Sequence, residues 1–417
     1  MSHFYMNRIK NFIKDMLVRC IPIYHVILTR ILRHKKTINV VFFAASVSMW
    51  KYQHIYELMS RCPRFKVDII IQPASAYNES QKQADVKALK DFFTSKDIPF
   101  ILAEKEDGGY IDIRKELSPD VLFYPQPYNN FYPYEISYNR FYDKLLCYIP
   151  YAFWDCKGKW SYDQPLHRMA WKLFYPTYMH KKDAEYYSFR KGKNLDIVGY
   201  PTADDFSSSV RTDIWKPQDK KKKRIIWAPH FTVVYDGLLM QSNFLWMSSV
   251  MLEIVQEYND RIQFVFKPHP RLYSELCKHP DWGEARAKDY YKKWEAFANT
   301  QIETGEFVDL FMTSDAMIHD CGSFSVEYHY SENPVMYIAQ DFEGQLTEKN
   351  DFGRIAMNLH YVGKDKQDII SFIENIVLTE DDPMKPQRQQ FKREYLLPLN
   401  GKTVAENIMA VFLKSFC

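Results

Sequence analysis

The sequence predicts an α/β protein made of two Rossmann-like domains, each a parallel sheet covered by helices on both faces. After residue 36, short β-rich apolar runs alternate with helical stretches, and a second series of the same kind follows a lysine-rich stretch. The length of 417 residues allows two or three domains. We therefore expect a first domain over 37–218, a second over 219–375, and closing helices over 376–417.

Residues 1–36 are a basic segment, with eight basic side chains and one acidic one, in a chain whose net charge is +3. Its apolar residues recur at helical spacing, which predicts an amphipathic helix. They are Ile9, Phe12, Ile13, Met16, Leu17 and Cys20. The helix either packs on its own domain or attaches to an anionic membrane surface, and we favour the membrane. The apolar stretch 21–29 is too short to span a bilayer, and no secretory signal is indicated.

The first domain is predicted from five apolar runs and the helical stretches between them. The expected strands are 38–45, 67–71, 100–103, 121–124 and 145–149. Ser46 is expected to cap a helix that runs to about Arg61, and 79–95 supplies the next helix. The stretch 155–188 has a helical and aromatic pattern, and 194–199 is predicted as a strand. No G-x-G-x-x-G is present, so a dinucleotide cofactor is not indicated.

The second domain begins with a lysine run at 219–224, which we interpret as an interdomain linker. The strands that follow are expected at 224–228, 263–267, 301–303, 316–319 and 334–338. Helices are expected near 366–379, 388–395 and 403–415, and whether they cross back to the first domain is left open.

Composition and charge exclude several classes of protein. The seven cysteines are scattered and never form C-x-x-C, which fits a reducing compartment. Outside the basic segment the chain is mildly acidic, so we expect no nucleic-acid partner. D-x-D is absent, so no metal site is predicted, and no cofactor is expected.

Polar side chains follow three strands of the second domain, at the edge where open α/β sheets bind ligands. His230 follows the first strand and Lys267-Pro268-His269 ends the second. His230 and His269 are the candidate catalytic residues, because an imidazole can bind a phosphate or protonate a departing one. The alternative is that both are structural turn histidines.

The third segment, which joins a strand to a helix, is the candidate donor-binding site. It contains Asp320, Gly322, Ser323 and Ser325. Unpaired N–H groups at a helix start can bind a phosphate, although ordinary helix capping would explain the same serines. Glu327 is placed to accept hydrogen bonds from ribose hydroxyls, and Lys267 would add a positive charge.

These motifs resemble the CDP-glycerol glycerophosphotransferase family, the teichoic-acid polymerase and primase type of enzyme with a GT-B fold. The resemblance covers about 225–337 and rests on the sequences KPHP at 267–270 and SDAMIHDCGS at 314–323, followed by Glu327 and the sequence NPV at 333–335. It implies two Rossmann-like domains that face each other across a cleft, with a CDP-bound donor in the second.

The sequence also departs from the family pattern. The polymerase branch has a His-Gly-Thr-Pro segment in the first domain, where CYIPY stands here at 147–151, and Gly322 replaces a serine. The resemblance implies transfer of glycerol phosphate, or a related polyol phosphate, from a CDP-linked donor to a glycan or lipid-linked acceptor. A divergent capsule- or glycan-modifying branch, acting at the cytoplasmic face of the membrane, fits these departures. The alternatives are a GT-B glycosyltransferase that uses a nucleotide sugar and a non-catalytic membrane scaffold.

Overall fold

The protein is described from a computed structural model. It describes residues 2–234, 242–305, 307–322 and 324–416, with side chains of the first helix from Val18 onward. The chain divides into two compact units, Met1–Asp204 with Pro398–Cys417 and Asp205–Leu397. Their limits therefore fall elsewhere than the domain limits expected from the sequence, and the lysine run lies inside the second unit.

Unit 1 is built on a seven-stranded parallel sheet in the order β3-β2-β1-β4-β5-β6-β7. The strands are β1 (Ile38–Ala44), β2 (Phe65–Ile71), β3 (Ile101–Leu102), β4 (Val121–Tyr124), β5 (Leu145–Tyr148), β6 (Lys172–Tyr175) and β7 (Leu195–Ile197). The order reverses between β1 and β4, which pair directly. Long buried β-branched and aromatic runs are typical of strands covered on both faces.

The helices of this unit connect and cover its strands. They are α1 (Ser2–Arg33), α2 (Gln53–Arg61), α3 (Glu79–Ser95), α4 (Ile113–Glu116), α5 (Lys159–Tyr162), α6 (Pro165–Met169), α7 (Tyr178–Tyr187), α8 (Thr202–Phe206) and, from the end of the chain, α18 (Val404–Phe416). In α18, Phe412 packs against Phe123 and Trp171 at ring distances of 5.7 and 5.4 Å. The end of the chain thus completes the core of unit 1.

Two local predictions for unit 1 are wrong. The stretch expected to be helical contains the strand β6. This segment forms a strand because its residues from Leu173 to Tyr175 are buried in the sheet beside β5. Ser46 does not begin a helix. It lies in a turn, and α2 begins only at Gln53.

α1 carries two different faces in the part whose side chains are described. Val18, His25 and Leu32 are buried at a spacing of seven residues. Ile23, Ile27 and Ile31 are exposed. The helix therefore packs on unit 1 along one side and leaves an apolar stripe uncovered on another. Within the described residues, none of the helices is both long and apolar enough to cross a membrane.

Unit 2 is built on a six-stranded parallel sheet in the order β10-β9-β8-β11-β12-β13. The strands are β8 (Lys223–Ala228), β9 (Ile262–Phe266), β10 (Thr300–Ile302), β11 (Ala316–His319), β12 (Val335–Ile338) and β13 (Tyr361–Gly363). The short edge strand β13 was not predicted. The order reverses between β8 and β11, where His319 pairs with Ala228.

The helices of unit 2 cover both faces of this sheet. They are α9 (Phe244–Glu257), α10 (Leu272–Lys278), α11 (Gly283–Ala296), α12 (Val308–Met312), α13 (Phe324–Glu327), α14 (Phe342–Glu348), α15 (Asp351–Met357), α16 (Lys366–Phe372) and α17 (Lys385–Phe391). Trp227 of β8 stacks on Phe266 and Trp294 at 5.0 and 5.4 Å. This aromatic core supports the ends of β8 and β9, from which the candidate site projects.

Candidate active site

The candidate site lies at the carboxyl edge of the unit 2 sheet, where the strand order reverses. β8, β9 and β11 end at Ala228, Phe266 and His319, and β8 lies between the other two. The segments that begin at Pro229, Lys267 and Asp320 therefore emerge side by side. Open α/β sheets bind their ligands at this point of the topology.

His230 and His269, here called the histidine pair, lie together at this edge. Their ring centroids are 5.1 Å apart. The two strand ends are joined by the backbone, because the His269 N–H donates to the Pro229 carbonyl at 3.1 Å. The Phe231 ring lies 4.3 Å from that of His230 and 4.4 Å from that of His269. The structure thus brings together the two histidines predicted to be catalytic.

Both histidines are neutral at neutral pH. Burial, with the charge of Arg271, lowers the pKa of His230 to about 4. Burial, with His230 and Arg271 nearby, lowers the pKa of His269 to about 3. The Nδ1 atom of His269 accepts a hydrogen bond from the Arg271 N–H at 3.1 Å. In the neutral ring the proton is therefore on Nε2, which makes His269 a hydrogen-bond donor rather than a resident cation.

Asp320, directly after β11, connects two other segments of unit 2. One is the segment after β8, and the other is the segment that leads into α9. Its Oδ1 accepts the His230 N–H at 2.7 Å, and its Oδ2 accepts the Ser242 hydroxyl at 2.8 Å and the Asn243 N–H at 2.6 Å. Burial raises the pKa of Asp320, and these donors act in the opposite direction. The geometry adds a positioning role for Asp320, whereas its contact with the donor stays a prediction.

Lys267 lies next to the histidine pair in sequence but directs its ammonium to the protein. Its Nζ donates to the Gly305 carbonyl at 2.9 Å, and the side chain is buried. This contact holds the loop after β10 against the end of β9. The contribution of this charge to a bound donor stays a prediction.

The predicted phosphate-binding turn is short. α13 has four residues and continues as a 3-10 turn over Tyr328–Ser331, so few peptide dipoles align behind its start. Ser325 donates its hydroxyl to the Gly322 carbonyl at 2.5 Å, and Glu327 is buried. A Cβ on Gly322 would meet nothing within 4 Å, which leaves open space beside its backbone. Ser323 lies outside the described residues.

The comparison with protein families decides the class of the chain. Residues 172–414 match the profile of the CDP-glycerol:poly(glycerophosphate) glycerophosphotransferase family. The chain belongs to this family. The match includes the histidine pair, Asp320 and Gly322, and it confirms the family that the sequence motifs resemble. The chain is accordingly an enzyme of the glycerophosphotransferase type.

Solved structures agree on the fold of this glycerophosphotransferase. The wall teichoic acid polymerase TagF is 13% identical, with coverage of 99% of this chain and 97% of that chain and a TM-score of 0.56. A UDP-N-acetylglucosamine 2-epimerase from Listeria monocytogenes is 14% identical, with coverage of 91% and 97% and a TM-score of 0.58. S. aureus MnaA bound to UDP is 14% identical, with coverage of 92% and 98% and a TM-score of 0.55. Two parallel-sheet domains of GT-B type are thus confirmed. Comparison with curated protein sequences finds no match.

Arg271 is the site residue that sequence reasoning missed in this glycerophosphotransferase. Its guanidinium lies 4.1 Å from the centre of the Phe231 ring, beside the histidine pair, and its side chain is 47% exposed. An arginine is charged at every physiological pH and binds phosphate oxygens with two N–H groups. Its place directly after the sequence PHP was the available signal. Within the described ranges, no group of three His, Cys, Asp or Glu side chains is arranged to hold a metal ion.

Proposed function

We propose that this glycerophosphotransferase moves glycerol phosphate, or a related polyol phosphate, from a CDP-linked donor to a glycan or lipid-linked acceptor in the synthesis of a cell-surface polymer. Unit 2 binds the donor and unit 1 the acceptor. The proposal rests on the histidine pair and Arg271, which lie together where the strand order of the unit 2 sheet reverses. The chain that carries them belongs to the glycerophosphotransferase family.

The site suits the transfer of a phosphoryl group because it offers donors and a fixed charge to an anion. The acceptor hydroxyl attacks the β-phosphorus, a P–O bond forms, and the bond to the bridging oxygen breaks with its electron pair leaving on CMP. The hydroxyl proton passes to a base or to water. Arg271 and the Nε2–H of His269 stabilise the negative charge that develops on the phosphate oxygens, the type of effect that is usually largest in such sites.

The bound donor also changes the histidines themselves. A diphosphate is an anion, and a nearby opposite charge raises the pKa of an imidazole. His230 and His269, neutral in the free protein, therefore gain proton affinity when the donor binds. This coupling allows one of them to carry a proton to the departing phosphate, and we assign that role to His269.

A nucleotide-sugar glycosyltransferase is the alternative, because the fold is shared with UDP-N-acetylglucosamine 2-epimerases, one of them bound to UDP-N-acetylglucosamine. The two functions are separated by incubating the full chain with CDP-glycerol or with UDP-N-acetylglucosamine and measuring CMP and UDP. We expect CMP release from CDP-glycerol, and loss of that release in His269→Ala. UDP release without CMP release would favour the alternative, and no release of either nucleotide would contradict both functions.

We further propose that α1 attaches the enzyme to the anionic inner face of the cell membrane. Of the predicted stripe, the side chains from Ile9 to Leu17 lie outside the described ones and Cys20 is exposed. The exposed stripe of Ile23, Ile27 and Ile31 supports the same role. Deleting the helix would uncover the core residues that it shields. Replacing the three isoleucines with glutamine is the cleaner test, and it should abolish co-sedimentation with anionic vesicles. The exposed Val210 supplies the control, as Val210→Gln. Unchanged sedimentation of the triple variant would refute the membrane role.

A further inference from the structure

The sheet of unit 1 has its own switch point, between β1 and β4, and a pair of stacked aromatic side chains follows it. Tyr128 comes after β4, and Trp160 lies in α5, after the neighbouring strand β5. Their ring centroids are 4.8 Å apart, and the ring planes differ by 25°. Tyr128 is 8% exposed and Trp160 is 63% exposed. In this pair, here called the aromatic platform, the exposed indole of Trp160 stacks on the buried ring of Tyr128.

The segment that carries Trp160 is held by hydrogen bonds of Trp160 and of the two residues after it. The Trp160 carbonyl accepts from the Gln164 amide at 3.2 Å, and the Ser161 carbonyl accepts from the buried Tyr175 hydroxyl at 3.2 Å. The Tyr162 hydroxyl donates to Asp183 at 3.0 Å. A rigid aromatic side chain loses little conformational freedom when a ligand stacks on it. Trp160 is thus preorganised, although it lies in a short helix.

The chemistry of the platform suits a sugar ring. The axial C–H face of a pyranose is apolar and packs on the negative face of an aromatic ring, to which its C–H groups also make weak hydrogen bonds. Asn130, exposed two residues after Tyr128, provides an amide of the kind that binds sugar hydroxyls. The neighbouring Asn129 is also exposed, and its amide oxygen already accepts from Ser137 and Asn139. A linear chain of glycerol phosphate has no flat apolar face, and it would instead need a row of cations.

We propose that the aromatic platform binds a pyranose ring of the acceptor, so that the enzyme recognises a glycan rather than a chain of glycerol phosphate alone. This inference rests on the proposed function, in which unit 1 takes the acceptor. It identifies the acceptor end as a sugar and Trp160 as a residue that binds it.

The test compares two probes by calorimetry in the absence of donor: a β-linked disaccharide of N-acetylglucosamine and a trimer of glycerol phosphate. We expect the wild type to bind the disaccharide, with an affinity that changes little between about 0.05 and 0.5 M salt because the contact is apolar. Trp160→Ala should weaken this binding about tenfold or more, and Trp160→Tyr should retain most of it. Tyr186→Ala is the matched control, since Tyr186 is an aromatic residue 75% exposed on α7.

The same variants separate this inference from the proposed function. CMP release from CDP-glycerol in water should be equal in the wild type and in the control Tyr186→Ala, whereas in Trp160→Ala the KM for a glycan acceptor should rise with little change in kcat. No CMP release by the wild type would refute the proposed function, and the calorimetry would still decide the platform. The platform is refuted if the wild type binds no disaccharide, if it prefers the trimer, or if Trp160→Ala binds the disaccharide as the wild type does.

Discussion

Replacing Asp320 by asparagine tests whether the site depends on the geometry around β11. Asparagine keeps one acceptor oxygen and turns the other into an NH2 group, which cannot accept a hydrogen bond. If the amide oxygen stays on Ser242 and Asn243, which together donate two bonds, the His230 N–H loses its 2.7 Å acceptor. The His230 segment should then loosen while the aromatic core beneath it stays intact.

The size of the effect follows from the charge of the lost acceptor. A hydrogen bond to a charged group contributes about 1.5 to 3 kcal/mol, which corresponds to a roughly 10- to 150-fold change in an opening equilibrium. We therefore expect the amide hydrogen of His230 to exchange faster by about that factor. The transfer rate should fall about tenfold or more, because one member of the histidine pair no longer has a fixed position.

Asp315 provides a matched control at the opposite end of the same strand. Its carboxylate accepts the Arg224 N–H at 2.8 Å and pairs with Lys223 at 3.2 Å. Asp315→Asn should accelerate exchange at Arg224 and leave the transfer rate unchanged, because that edge of the sheet carries no site residue. The reasoning fails if Asp320→Asn loosens His230 and still transfers at the wild-type rate. It also fails if Asp315→Asn lowers the transfer rate equally.

Three further predictions address acid stability, the open space at Gly322 and metal independence. Burial lowers the pKa of His360 to about 3 and holds those of His319 and His329 well below the usual value, so the stability that they contribute is complete above pH 6.5 and is lost as the pH falls toward the folded pKa. In that window each of these histidines should lower the free energy of unfolding by about 1.4 kcal/mol for every pH unit of acidification. A melting temperature that is the same at about pH 7 and about pH 5 would contradict this. Gly322→Ser should leave the unfolding free energy within about 0.5 kcal/mol and should not weaken donor binding measured by calorimetry, since its Cβ meets nothing within 4 Å. A severe loss of stability or of donor binding in Gly322→Ser would show that the open space beside Gly322 is needed. Transfer should persist in EDTA because Arg271 supplies a fixed positive charge, and a loss reversed by Mg²⁺ or Mn²⁺ would argue against that source of charge.

Much of the fold could be predicted because its signals are local. The runs at β4 and β11 contain only apolar residues apart from the final His319, and both strands have the predicted limits. α3 also has its predicted limits, with Asn78 accepting the Gln81 N–H at its start. β6 was missed because the sequence KLFY lies among helix-like aromatic residues, and its burial depends on strands distant in sequence. β13 has only three residues, too few for a period to be read.

The candidate site was predictable in its location but not in its connections. Polar groups after three of the predicted strands indicate the carboxyl edge, and His230 and His269 do meet there. The bonds from Asp320 join residues 77 to 90 positions apart, a separation at which no sequence pattern remains. Likewise, neutral histidines follow from burial, which only the packed structure supplies. Arg271, the charged group beside them, was missed although it directly follows the sequence PHP at 268–270.

The central claim is that a glycerol phosphate unit, not glycerol or a sugar, is transferred. The most direct measurement uses CDP-glycerol with the β-phosphate labelled with ³²P, incubated with the full chain and a glycan acceptor. The account predicts that the label appears in the acceptor as a phosphodiester and that unlabelled CMP is released in equal amount, with both lost in His269→Ala. Label that remains in CDP, or that appears only as free glycerol phosphate at the same rate with and without acceptor, would contradict it.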